Sequence, residues 1–89
     1  MANEVLASKR FMARSGEEVY EITLDLVPSG ASDYGNRHAL LLNFHDGSGV
    51  RFFDARYDKR FSTVESFSKY ALEFVKDQLR EDFTVEQVA

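Results

Sequence analysis

Residues Arg51-Phe52-Phe53-Asp54-Ala55-Arg56-Tyr57-Asp58-Lys59-Arg60-Phe61 hold four basic and four aromatic side chains within eleven positions. Rings interleaved with cations are what single-stranded nucleic-acid platforms use, the rings stacking on bases and the cations meeting phosphates. In that role Arg51, Arg56, Lys59 and Arg60 would contact phosphate, while Phe52 and Tyr57 would stack. Two carboxylates sit among these cations. In an extended chain Asp54, Arg56, Asp58 and Arg60 share one face and can pair with one another. The same residues therefore also read as a solvated ion-pair strip above an apolar face, where each pair contributes little.

Other residue types offer less chemistry. With no cysteine, a nucleophile would have to be a serine, threonine, lysine or carboxylate. No serine lies in a G-x-S-x-G elbow, and Ser29 and Ser32 belong to a turn-rich segment that accounts for them. His38 and His45 are seven residues apart, so on one strand they face opposite sides and do not act as a pair. His45-Asp46 supplies two ligand types, but neighbours on a strand diverge and no third ligand follows at a diagnostic spacing. Asp46-Gly47-Ser48-Gly49 resembles part of a calcium loop, without its repeated carboxylates or terminal glutamate. Gly47 and Gly49 join two strands and open no helix, so no phosphate cradle forms. The expectation is a non-enzyme with no catalytic residues, no metal and no cofactor.

One further segment is a binding candidate. Pro28-Ser29-Gly30-Ala31-Ser32-Asp33-Tyr34-Gly35-Asn36 is longer than an antiparallel connection requires, and Tyr34 within it is an aromatic with a polar handle.

These residues must be positioned by a chain of 89 residues, 44% hydrophobic and 29% charged, with eight Phe, four Tyr and one Pro. That is one domain's worth of core and too apolar for a disordered segment. Without cysteine, packing alone must hold it, or packing with a partner chain. The net charge of −4 lacks the basic excess of a general nucleic-acid binder and so disfavours nucleic acid as the partner. The longest apolar run, Ala39-Leu40-Leu41-Leu42, is strand-sized and far short of a membrane span of about 20 residues. Met1-Ala2-Asn3-Glu4-Val5 lacks the basic-then-apolar pattern of a signal peptide, so a cytoplasmic location is expected.

The clearest element is C-terminal. Ser62-Thr63-Val64-Glu65 reads as a capping box with Ser62 as N-cap. Val64, Phe67, Ala71, Phe74, Val75 and Leu79 then recur at steps of three and four, giving an amphipathic helix over about 63–81. Tyr20, Ile22, Leu24 and Leu26 alternate with polar residues, as a half-buried strand does. Leu40, Leu42 and Phe44 repeat that pattern, and Asp46–Gly49 turns into a returning strand. Residues 5–14 suit a short helix or a strand. The Ser15-Gly16-Glu17-Glu18 turn favours a strand, because strands joined by short turns usually pair.

The expected fold is α+β: a four-stranded antiparallel meander followed by one helix on one sheet face (β-β-β-β-α), with α-β-β-β-α as the alternative. Strands fall at about 4–14, 18–27, 37–45 and 49–57, and residues 82–89 form a flexible tail, all within one domain spanning 1–89. One helix covers one face. The other would show Val19, Val27, Leu41 and one of the Phe52–Phe53 pair, mixed with Thr23, Asn43 and charges, an apolar surplus that suits a partner chain.

The Val5–Leu26 stretch, a basic-aromatic strand, a Ser-Gly turn and an alternating strand, resembles the opening hairpin of several small bacterial domains. Small size, an antiparallel sheet and a single helix are also similar in kind to phage-encoded inhibitors, anti-CRISPR proteins among them. Those proteins share no common signature, so the similarity implies a binding and blocking role and carries over no residues. The function expected is therefore a protein-interaction module, self-associating as a homodimer, that binds and inhibits a macromolecular partner. Its contact residues would be Tyr34, Arg51, Phe52, Arg56, Tyr57, Lys59 and Arg60. A small nucleic-acid-binding module built on 51–61 is the alternative.

Overall fold

Alternation and turn chemistry build the sheet. The computed structural model describes residues 5–28, 38–44, 49–55, 58–79 and 81–88. Strands β1 (Ala7–Ser15) and β2 (Glu18–Pro28) form a hairpin in which Ser15 pairs with Glu18 across Gly16-Glu17. Gly16 has φ +61° and Glu17 has a negative φ, the pattern of a type II′ turn, whose first central residue must be left-handed. Residues 7–15 are thus a strand and not the alternative helix. Strands β3 (His38–Phe44) and β4 (Gly49–Asp54) continue the antiparallel meander.

The sheet has a fifth strand. Residues 84–87, expected as part of a flexible tail, form β5 (Thr84–Gln87) and pair antiparallel with the outer edge of β1. The sheet order is β4-β3-β2-β1-β5 and the element order β-β-β-β-α-β. Burial explains the ordering of the tail. Val85 is buried on the helix side, and Phe83 lies against Tyr20 at a ring-centroid distance of 5.7 Å. Two apolar anchors let the backbone satisfy the open edge of β1.

The fourth strand is shorter than expected. It ends at Asp54, not at residue 57, and Lys59–Phe61 form a 3₁₀ turn whose N-cap is Asp58. Helix α1 spans Val64–Gln78. Its N-cap is Thr63, whose Oγ1 accepts the Ser66 N–H at 3.1 Å. Ser62, expected as the cap, instead donates its Oγ–H to the Lys59 carbonyl at 3.0 Å and closes the 3₁₀ turn. Val64, the first residue of the helix, is 46% exposed at its open end, while Phe67, Ala71, Phe74 and Val75 are buried.

The core lies between α1 and one sheet face. Phe11 and Ala13 of β1, Ile22, Leu24 and Leu26 of β2, and Leu40 and Leu42 of β3 are all buried there. Phe61 caps one end of the core, packing edge-on against Phe74 at 5.2 Å and against Phe67 at 6.5 Å. Burying each such large apolar side chain stabilises the fold by about 1.5–3 kcal/mol over exposure. Among the described residues, no helix is long and apolar enough to cross a membrane.

Candidate interaction surface

The basic-aromatic segment is not one continuous strip. Arg51 is exposed on β4, with its guanidinium carbon 5.4 Å from the centroid of the Phe44 ring. Phe53 points to the helix and meets Phe74 edge-on at 5.1 Å. Phe52 pairs in register with Leu41, and its side chain lies outside the described residues. Tyr34, Arg56 and Tyr57 also lie outside them, as do His45 and the Asp46–Ser48 turn. Beyond the strand, Lys59 is exposed and Phe61 is core.

Arg60 is committed to structure. Its Nη2 lies 2.9 Å from Asp58 Oδ2, its Nε 3.1 Å from Asp58 Oδ1, and its own backbone N–H donates to the same Oδ1 at 3.0 Å. Glu73 on α1 stands 3.6 Å from Nη1. The side-chain hydrogen bonds from Arg60 hold the Asp58 carboxyl below the usual aspartate value, and the same carboxylate raises the Arg60 guanidinium. The pairing of Asp58 with Arg60 expected of an extended strip is therefore present, but across a 3₁₀ turn, where it pins the approach to the helix. His38 is also structural: its Nδ1 lies 2.7 Å from the Phe61 carbonyl, which only accepts, so Nδ1 carries the proton.

The face opposite α1 gathers what remains. Strand alternation places Ser8, Arg10, Met12 and Arg14 there from β1, and Val19, Glu21, Thr23, Asp25 and Val27 from β2. From β3 come Ala39, Leu41 and Asn43, and from β5 Thr84 and Glu86. Val27 and Ala39 are buried at one end, whereas Val19 is 47% exposed at the other. Asp25 accepts from Ser8 Oγ at 2.6 Å and from Asn43 Nδ2 at 3.4 Å, and Arg10 pairs with Glu21 at 3.1 Å. Among the described residues, no secondary-structure element packs on this face.

Val19, Leu41, Thr23 and Asn43 belong to this surface as the period-two pattern predicts. The pattern did not reveal the charged row across β2, β1 and β5, because it depends on a strand that four residues at the chain's end scarcely announce. Its only signal is the alternation of Phe83 and Val85 with Thr84 and Glu86. Among the described residues, no three His, Cys, Asp or Glu side chains converge as metal ligands would. No family model, curated protein or solved structure matches this chain.

Proposed function

We propose that this chain is a protein-interaction module that works without catalysis, self-associating and binding a macromolecular partner so as to block it. The observation that carries this reading is the asymmetry of the sheet. One face is sealed by α1, while the other mixes exposed Val19 and partly exposed Met12 and Leu41 with charges. Sheet faces of that composition suit a second protein layer. Light scattering coupled to size-exclusion chromatography tests the self-association: a dimer mass is expected at micromolar concentration, and a monomer at high micromolar concentration removes that part of the reading.

Nucleic acid is the weaker alternative. Of the cations expected to meet phosphate, Arg51 and Lys59 are exposed on separate elements, and Arg60 is held by Asp58. Fluorescence anisotropy with single- and double-stranded oligonucleotides at two salt concentrations decides it. Binding by this route rests on phosphate neutralisation, so it must be visible at low salt.

A further inference from the structure

We propose that two copies of this chain dimerise face to face through the open side of the sheet, their strands crossing at near right angles. In that arrangement Arg10 and Arg14 of each copy lie over Glu21 and Glu86 of the other. This rests on the self-association reading above and names its surface and geometry.

The argument is one of charge pattern. Met12 stands at the centre of a cross on the open face. Register sets Glu21 beside it on β2 and Glu86 beside it on β5. Arg10 and Arg14 lie two residues before and after it along β1, on the same face. Neighbouring strands are about 4.8 Å apart and alternate residues of a strand about 6.8 Å, so the arms are of comparable length. The anions thus form the arm across the strands and the cations the arm along them.

Sheets pack face to face either nearly aligned or nearly orthogonal. With a two-fold axis along or across the strands, aligned copies would set arginine on arginine and glutamate on glutamate. With the axis along either diagonal of the cross, orthogonal copies set every arginine on a glutamate. The pattern therefore selects one packing class and accepts a second copy of itself, as an isologous interface must.

The corners of the cross agree with this. Val19 pairs with Arg14, and the Val88 N–H donates to the Arg10 carbonyl at 2.7 Å, continuing the β5 register. These valines occupy opposite corners and are 47% and 52% exposed. A two-fold along one diagonal sets each on its own counterpart, and along the other diagonal sets Val19 on Val88. Apolar surface meets apolar surface both ways. The charges are available too. Arg14 and Glu86 are exposed and, among the described residues, form no ion pair. Arg10 has five donors and uses one on Glu21.

Sedimentation equilibrium on the full chain and on two double variants, Arg10→Glu/Arg14→Glu and Glu21→Arg/Glu86→Arg, tests the proposal, with circular dichroism confirming that each variant folds. Each variant alone makes the cross single-signed, and its self-association should weaken about 100-fold, since like charges in apposition cost several kcal/mol. Mixed one to one, the two variants should form a heterodimer as tight as the parent. If a double variant unfolds, Arg14→Glu alone serves, with about a tenfold weakening expected. Variants that dimerise as well as the parent, or a mixture that stays monomeric, overturn the face and leave self-association through another surface standing. A monomeric parent chain overturns both.

Discussion

Asp58 holds Arg60 from two sides: its carboxylate takes the guanidinium at 2.9 Å and the arginine's own backbone N–H at 3.0 Å. One carboxyl group thus caps the 3₁₀ turn and fixes the charge that leans towards Glu73 of the helix. The 51–61 segment, so suggestive of a phosphate-binding strip, spends this part of its charge on closing the chain between sheet and helix.

The pH dependence of stability should reveal this carboxylate. Its folded pKa lies below the ordinary aspartate value of about 3.9, because Arg60 stabilises the ionised form. The folded state then binds fewer protons than the unfolded one between the two values. The stabilisation is whole above the unfolded pKa and is lost as pH falls through the folded one. Asp58→Asn should lower the thermal midpoint at pH 7, and the gap to the parent chain should begin to narrow only below about pH 3.9 and close as pH falls through the lower folded value. A gap unchanged at low pH would mean the charge is immaterial.

Phe61 has the opposite character, although it ends the same segment. It is 1% exposed and meets two helix rings edge-on. Phe61→Ala should destabilise the fold by about 3–5 kcal/mol in urea unfolding, as deletions of buried aromatics do. Phe61→Leu, which keeps most of the volume, should cost less than about half of that. A loss under about 1 kcal/mol for the alanine variant would show the site to be exposed in solution.

Much of this architecture is legible in the sequence, because period-two and helical patterns report burial directly. Tyr20 to Leu26, Leu40 to Phe44 and Phe67 to Val75 all face the core as their spacing dictates. What escapes is decided by tertiary contact. Phe11 sits among basic residues, so its strand is marked by the Ser15–Glu18 turn and not by its own spacing, and its place in the core comes from pairing with Ile22. β4 ends at Asp54 and Asp58 caps a separate 3₁₀ turn, where the composition favours one extended strip. The partly apolar character of the face opposite α1 follows from alternation, but the cross around Met12 needs the pairing of β5 with β1.

The start of the helix offers a sharp comparison between neighbouring hydroxyls. Thr63 Oγ1 accepts an otherwise unpartnered helical N–H, whereas the exposed Ser62 donates to a carbonyl outside the helix. Thr63→Ala should therefore cost about 1 kcal/mol. Ser62→Ala should stay within about 0.5 kcal/mol. Chemical denaturation of the two variants in parallel checks this. The reverse order would restore Ser62 as the cap.

The fifth strand makes a prediction at single-residue resolution. The Val88 N–H donates to the Arg10 carbonyl, which makes Arg10 and Val88 a hydrogen-bonded antiparallel pair. Alternation then makes Met12 and Glu86 another such pair, while Ala13–Val85 and Phe11–Gln87 are non-bonded pairs. The amides of Glu86 and Val88 point at β1, and those of Val85 and Gln87 point away from the sheet. Hydrogen exchange followed by NMR should show slow exchange at 86 and 88 and fast exchange at 85 and 87. Frayed chain ends exchange fast at every position. Uniformly fast exchange from 84 to 88 would therefore detach β5, and with it the glutamate that completes the cross around Met12.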